Sequence, residues 1–556
     1  MNEERLAQAR AWMRQDPDHE TRDELAGLVT RAAAGEEQAA AELDDRFGAR
    51  LAFGTAGLRG ALGAGSNRMN RVLVAQAAAG FAAYLRERSG DRTPTVVIGY
   101  DGRRNSRVFA TDSAELFAGA GLRAILLPRL LPTPVLAFAV RHLGADAGVM
   151  VTASHNPPND NGYKVYLGGP DQGSQIVAPA DAEIASAIQR VADAGDISTL
   201  PRSADYETAG EDVVDAYIAA TAAVAPAPAS ASDLRWVYTA MHGVGWETLS
   251  KIVSEAGYPQ PMVVGEQLQP DATFRTVSFP NPEEPGAMDL SFARARRVQA
   301  DFILANDPDA DRLAVAIPDP TSDTGWRRLT GNEVGLLLGA RAARATAGTP
   351  GASLACSLVS SPGLAAIAAH HGLDFHETLT GFKWISRAPG IVFGFEEALG
   401  YLVNPETVRD KDGISAAVAV LGLAAEAHTR GLSLADLLGE LGDTYGHFAS
   451  GQVSVRVDDL SVIGRVMLSL RTLPPTQFGG RSIAASDDLL HAGPGQPSGD
   501  VLRYRLTDGS RIIVRPSGTE PKLKVYIDAA AESSARAAEA VGELESAVRE
   551  LLQERS

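Results

Sequence analysis

Short apolar runs that end in polar clusters recur along the chain, separated by longer stretches with apolar residues at helical spacing. "PTVVIGYDGR" and "DAGVMVTAS" are β-rich runs of this kind, and "SRVFATDSAELFAGAG" and "PTPVLAFAVRHLG" between them read as helices. That alternation predicts an α/β unit built on a mainly parallel sheet. Residues 1 to about 50 read as charged amphipathic helices, and the glycines of "AFGTAGLRGALGAGSNRMN" after them predict a mobile segment. Beyond the Pro/Ala/Ser linker "VAPAPASASD" a second alternation places strands at "RWVYTAM", "PMVVGE" and "ADFILAND". A third starts near "RRLTGNEVGLLLGARAA" and includes "GIVFGFEEALGY". From about residue 450 apolar and polar positions alternate, as in antiparallel strands, with a hairpin turn expected at Asp508-Gly509. The terminal "SSARAAEAVGELESAVRELLQERS" is an amphipathic helix expected to cover that sheet.

Length and charge narrow the possibilities. With 556 residues the chain has room for three or four domains with real cores. A net charge of −18 disfavours general binding to nucleic acid or to an anionic membrane, while leaving room for a local basic pocket that takes a small phosphate. The one cysteine, Cys356, excludes an intramolecular disulfide framework and a Cys-rich zinc site, and its apolar neighbours predict a buried structural thiol. The amino-terminal stretch lacks the pattern of a secretory signal, and no run reaches the ~18 apolar residues of a membrane span. A cytoplasmic protein is expected.

Four loops carry candidate chemistry. In "VMVTASHNPPNDNGYKVY" Ser154 follows a buried-looking strand, at the end where open α/β sheets place ligands. A free serine hydroxyl needs a base, and on an extended chain His155 would point the other way, so a Ser154–His155 dyad is disfavoured and a plain polar turn stays open. In "ANDPDADRLAVA" Asp307, Asp309 and Asp311 alternate after an apolar run and can converge on one hard cation. Arg312 and Pro318 stand where an EF-hand needs Gly and Glu, and three acids without His or Cys favour Mg²⁺ over zinc. In "IIVRPSGTEPKLKVY" Arg515 offers a fork for phosphate, with the Ser517 and Thr519 hydroxyls around Gly518. In "VFGFEEALGYLVNPETVRDKDG" Glu396 and Glu397 are acceptors for sugar hydroxyls, although a glycosidase pair or a solvated face is also open. "HGVGWET" has Thr248 where a dinucleotide site would place its third glycine, so a Rossmann reading is not supported.

In this order, "FGTAGLRG", "TASHNPP", "DPDADR", "TGFKW", "FEEALGY" and "RPSGTEPK" resemble the α-D-phosphohexomutase family of phosphoglucomutases and phosphomannomutases, over nearly the whole chain. The resemblance implies four domains around a central cleft: three similar α/β units with mixed sheets and a smaller C-terminal α+β domain. The expected divisions are 1–205 with the phosphoserine loop, 206–322 with the metal loop, 323–449 with the sugar loop and 450–556 with the phosphate loop. It implies that Ser154 carries a phosphoryl group, and that Asp307, Asp309 and Asp311 hold Mg²⁺ together with a Ser154 phosphoryl oxygen. Glu396, Lys383 and Gly381 would meet the sugar, and Arg515, Ser517, Gly518 and Thr519 the phosphate that is not transferred. Arg59, Lys164, Arg312 and Lys383 match basic positions lining the cleft. Lys164 is the nominated proton acceptor, with His155 second.

The activity so implied interconverts the 1- and 6-phosphates of glucose or mannose through a sugar bisphosphate, with glucose 1,6-bisphosphate or a similar bisphosphate as activator. Sugar phosphates are the expected partners, with no nucleic acid and no membrane, for a monomer or homodimer. Many members carry Glu-x-Ser-Gly in the sugar loop, whereas this chain has Ala398, followed by Leu399-Gly400. That variant resembles the branch containing phosphopentomutase-active members, so ribose or deoxyribose phosphates are the alternative substrates. A phosphatase that loses the phosphoryl group to water is a remote alternative, and so is a non-catalytic sugar-phosphate sensor.

Overall fold

Three helices, Glu3–Gln15, His19–Ala33 and Glu37–Phe47, open the chain in the computed structural model, which describes residues 3–555 apart from 458, 492–497 and 518–521. Each buries one stripe: the second helix puts Leu25, Leu28, Val29 and Ala32 inward, at the spacing of a single helical face. The chain divides into two compact units, one of residues 1–328 and 400–428, the other of 329–399 and 429–556. Among the described residues no helix is long and apolar enough to cross a membrane.

The first unit holds two sheets. One runs in the order Leu58–Ala61, Asp160–Leu167, Ala147–Val151, Thr95–Tyr100, Arg123–Leu126 and Glu207–Thr208, with Ser174–Gln175 paired to Asp160–Leu167. Thr95–Tyr100 is parallel to both neighbours, as the strand–helix alternation predicts, and helices Ser106–Gly119 and Thr133–His142 make the crossovers. Asp160–Leu167 is antiparallel to both of its neighbours along that order, so the sheet is mixed rather than mainly parallel. Residues 152–159 are too few for a crossover and can only reverse the chain. The glycine-rich segment is also ordered. Leu58–Ala61 pairs antiparallel with Asp160 to Tyr163, and a Cβ on Gly57, at φ +77°, would overlap the Tyr163 carbonyl. Glycine there permits close backbone approach, not mobility.

The second sheet runs Trp326–Arg328, Leu313–Pro318, Phe302–Asn306, Trp236–Thr239 and Met262–Val263. Its central strands Phe302–Asn306 and Trp236–Thr239 are parallel and fully buried, and Leu313–Pro318 turns back antiparallel after the acidic loop. Both candidate loops of this unit therefore leave the C-terminal ends of buried parallel strands.

In the second unit Asp374–Thr378, Ser353–Ser357 and Ile391–Glu396 form a parallel trio. Cys356 is buried in the middle strand, and burial pushes its thiol well above the ordinary range. The carboxy-terminal sheet is antiparallel throughout, in the order His447–Arg456, Lys522–Ala531, Arg511–Pro516, Leu502–Leu506, Arg481–Asp488 and Gln477–Phe478. Asp508-Gly509 makes the expected hairpin turn, with Gly509 at φ +86°. Helix Ser534–Arg555 covers the sheet with Ala537, Val541, Leu544, Val548 and Leu552.

Candidate active site

Ser154 lies three residues past the strand Ala147–Val151, 2% exposed, at φ +53°. The left-handed region costs a residue with a Cβ about 1 kcal/mol or more, so the surroundings must impose it. They do so through Thr152, whose Oγ1 accepts from Ser154 N at 2.9 Å and donates to Asp101 at 2.7 Å. The conformation also reverses the expectation about His155. The chain is not extended at Ser154, and His155 Nδ1 comes to 3.3 Å from Ser154 Oγ. Burial, then Arg312 and Arg59, push the His155 imidazole well below its ordinary pKa, so it is uncharged at neutral pH.

Ser154 Oγ donates to Asp307 Oδ2 at 2.8 Å. Asp307, Asp309 and Asp311 are wholly buried, and one ligand oxygen from each lies within 4.8 Å of the others. Lys164 donates to Oδ2 of both Asp309 and Asp311 at 2.7 Å, and Lys411 Nζ lies 2.9 Å from Asp311 Oδ2. Thr133 adds its hydroxyl to Asp309 Oδ2 at 2.6 Å, and Arg312 N donates to Asp307 Oδ1. Burial together with Asp309 and Asp311 raises Asp307 well above the carboxylate range. Burial would raise Asp309 too, but Lys164 and Thr133 hold it well below. Asp311 and Asp410 keep Lys411 above its ordinary value against the opposing effect of burial.

The three acids fit a hard cation. Asp309 Oδ1 and Asp311 Oδ1 are buried and accept no hydrogen bond among the described residues, although the other oxygen of each is fully engaged. Buried carboxylate oxygens without a hydrogen bond beside a third carboxylate are costly unless a cation takes them, and an all-oxygen set suits a hard divalent cation. Arg59 stands close by, its Nη1 donating to Asn156 Oδ1 at 3.2 Å, and Arg312 Nε lies 3.9 Å from Asp311 Oδ1.

The remaining candidates belong to the second unit. Glu396 ends the strand Ile391–Glu396 and is half-buried. Glu397 instead accepts from the hydroxyls of Ser357 at 3.1 Å and Ser360 at 3.0 Å, and burial raises its pKa above the usual value. Gly381, at φ +107°, precedes the short helix Phe382–Ile385 that carries Lys383. Arg515 is half-buried near the end of strand Arg511–Pro516, and Ser517 N donates to Lys522 O at 2.8 Å. Gly518 and Thr519 lie outside the described residues.

Comparison with known proteins decides the family. Models of the phosphoglucomutase/phosphomannomutase α/β/α domains I, II and III match residues 50–194, 215–320 and 330–445, and that of the family's C-terminal domain matches 475–546. A Haemophilus influenzae protein named "Probable phosphomannomutase" is 54% identical over 486 residues, covering 87% of this chain and 98% of that protein. The chain belongs to the phosphoglucomutase/phosphomannomutase family. Membership makes it an isomerase of the phosphotransferase kind. A Homo sapiens protein named "Phosphopentomutase" is 35% identical over 562 residues, 93% of this chain and 90% of that one. The crystal structure of a phosphoglucomutase/phosphomannomutase family protein from Burkholderia thailandensis shares the fold, with a TM-score of 0.69 at 20% identity, covering 91% of this chain and 98% of that chain.

Three further side chains of this mutase fold enter the region of Ser154 and the three acids, and no sequence motif marks them. Lys411 arrives from the segment 400–428, which belongs to the first unit. That segment is pinned on both sides of Lys411: Tyr166 and Gln175 donate to Asp410, and Tyr217 donates to Asp412. Thr133 opens helix Thr133–His142 and ties its first turn to the metal loop. Arg103 ends the run "PTVVIGYDGR" and reaches the serine loop. The only local signal was a basic or hydroxyl residue just past a strand or just before a helix, which many solvated turns share. The "HGVGWET" motif also has a use. Val244 N donates to Pro308 O at 2.8 Å, and a Cβ on Gly243 would overlap the Pro308 backbone, so this glycine lets the loop support the metal loop.

Proposed function

We propose that the enzyme interconverts the 1- and 6-phosphates of glucose or mannose by relaying a phosphoryl group through Ser154. The observation that carries the reading is Ser154, held left-handed at a strand's end with Oγ 2.8 Å from Asp307 in a cluster of three buried acids. Phosphoserine 154 gives its phosphoryl group to the free hydroxyl of a sugar monophosphate, and the resulting bisphosphate returns its other phosphoryl group after reorienting. Glucose 1,6-bisphosphate would charge the resting serine. Asp307, Asp309 and Asp311 would hold Mg²⁺, which when bound neutralises phosphoryl oxygens in the transition state.

The chain's own residues set position and charge. Arg59, Arg312 and Lys411 supply fixed positive charge around Ser154 and the acids. Lys164 is assigned to accept the proton of the attacking hydroxyl, a role that requires its neutral amine, whereas its Nζ donates to Asp309 and Asp311 before substrate arrives. His155 is the alternate, because its uncharged imidazole lies 3.3 Å from Ser154 Oγ. Glu396, Lys383 and Gly381 are assigned to the sugar, and Arg515, Ser517, Gly518 and Thr519 to the phosphate that stays. Ala398 favours one second reading, a pentose phosphate substrate, since the position offers no hydroxyl to a hexose. Comparing kcat/KM for ribose 1-phosphate and glucose 1-phosphate separates the two.

Intact mass and peptide mapping of fresh protein test the relay. One phosphoryl group on Ser154, discharged by glucose 1-phosphate or another sugar monophosphate, is the expected result. A Ser154 that no sugar bisphosphate can charge overturns the mutase reading.

A further inference from the structure

Arg103 is buried, its side chain 1% exposed, and its two terminal nitrogens face the serine loop. Nη2 donates to the carbonyls of Ser154 and Asn156, each at 2.6 Å, and Nη1 to those of Pro157 at 2.8 Å and Asp160 at 3.1 Å. Four N–H groups thus meet four backbone carbonyls within one seven-residue loop. The guanidinium carbon also lies 4.9 Å from the centre of the Phe274 ring, which is itself buried. Behind it, Asp101 accepts from Arg103 N at 3.0 Å, Ser106 Oγ at 2.7 Å and Thr152 Oγ1 at 2.7 Å, and Thr152 in turn receives Ser154 N.

We propose that Arg103 is a positioning residue for phosphoryl transfer, the template around which residues 154–160 wrap so that Ser154 keeps its left-handed backbone and its Oγ stays aimed at the metal loop. The assignment rests on the mutase reading. The four terminal N–H groups are consumed by main-chain acceptors and Nε lies 3.6 Å from Asp101 Oδ2, so the effect of Arg103 on the reaction runs through the geometry of Ser154. A planar fork suits the task, because its donors diverge in fixed directions towards carbonyls spread along the loop. A lysine ammonium has three donors and no plane, and it must abandon at least one carbonyl. A buried carbonyl without a donor is then free to turn, and the serine turns with it. In-line transfer is sensitive to such errors: a displacement of about 1 Å costs on the order of 100-fold in rate.

The test uses the full chain, charged with glucose 1,6-bisphosphate, as wild type, Arg103→Lys and Phe274→Leu. Three readouts are taken: kcat and KM with the sugar monophosphate that wild type turns over best, the rate at which phosphoserine 154 is discharged, and amide exchange of residues 154–160. Arg103→Lys is expected to lower kcat and the discharge rate by roughly 100-fold, to leave KM within about threefold because sugar and distal phosphate are held elsewhere, and to speed exchange of the loop. Phe274→Leu keeps the guanidinium and all four acceptors, and should shift the same quantities in the same direction by less. A folded Arg103→Lys protein with wild-type kcat, with its loss confined to KM, or with unchanged loop exchange overturns the proposal. If Arg103→Lys fails to fold, Phe274→Leu decides: a lower kcat at unchanged KM supports the template, and wild-type kcat and exchange overturn it. Should wild-type Ser154 refuse to charge, the mutase reading falls separately, and loop exchange in the variants still decides whether Arg103 shapes the loop.

Discussion

The loop that carries Ser154 and the loop that carries Glu396 begin alike and end differently. Strands Ala147–Val151 and Ile391–Glu396 are both apolar, both run parallel to a central neighbour, and both deliver polar residues at their C-terminal ends. Past the first, Ser154 is almost wholly buried and the three acids beyond it are met by two lysines, a threonine and an arginine amide. Past the second, Glu396 is half-buried, Glu397 turns to two serines, Ala398 has no polar atom in its side chain and Leu399 sits at φ +63°. A buried set of charges admits few arrangements, because moving one strands another in a medium of low dielectric. A half-buried loop with an apolar position in its middle can change a contact without such a penalty. On the proposed residue roles, the chemistry would reside in the first region and the choice of sugar in the second.

The sharpest way to break that division is to damage one region and look for an effect on the other's property. Asp309→Asn removes the charge that Lys164 and Thr133 address and weakens the cation site. With several kcal/mol of transition-state stabilisation at stake, kcat should fall by roughly 10³-fold or more for every sugar, leaving the hexose-to-pentose ratio unchanged. Steady-state kinetics on both sugars checks this, and a changed ratio would dissolve the division. Gly243→Ala acts one layer further out. It forces Pro308 to shift, and Mg²⁺ affinity by calorimetric titration should weaken by about 10- to 100-fold, the scale for groups that support metal ligands. Unchanged affinity would show that the 240–245 loop does not hold the metal loop in place.

A smaller effect is expected in the second region. Ala398→Ser offers one neutral hydroxyl, worth about 1 kcal/mol if a hexose uses it, so the ratio of kcat/KM for glucose 1-phosphate over ribose 1-phosphate should rise by roughly fivefold. A fall in kcat for both sugars would place Ala398 with the chemistry instead.

The smallest effect concerns stability alone. Burial pushes Asp412 up to about 6 from 3.8, while it caps the first turn of helix Gly413–Thr429 through Ile414 N and Ser415 N. Because the folded state holds this proton more tightly, its stabilising contribution is complete below the unfolded value near 3.8 and is lost as pH rises through about 6. Asp412→Asn should flatten the pH dependence of that helix's stability between about pH 4 and 6, read by hydrogen exchange of its amides. An equally steep profile in the variant would assign the dependence to another group.

Much of the site was legible because it is local. Ser154 and the three aspartates each follow an apolar strand within a few residues, and three acids at alternate positions point to a candidate cation site without any knowledge of the fold. What the sequence leaves open depends on backbone conformation. The Ser154–His155 separation was judged for an extended chain, and one left-handed residue undoes it. The glycines at 54–65 were read as freedom, whereas Gly57 and Gly65 are required where a Cβ would strike a backbone carbonyl. Arg103, Thr133 and Lys411 carry no distinctive local signal for another reason: they act on residues 51, 176 and 100 positions away, respectively. No window of sequence contains both partners.

The sequence by itself determined the strand–helix alternation, the antiparallel carboxy-terminal sheet with its turn and covering helix, and the residue types that phosphoryl transfer needs, since these follow from periodicity and short-range chemistry. Only the tertiary structure decided which cations answer the three acids, which oxygens are left over for a metal, and what bends the chain at Ser154. Those outcomes depend on which side chains become buried together, and burial is a property of the packed chain, where every charge removed from water must find its partner in space whatever its distance in sequence.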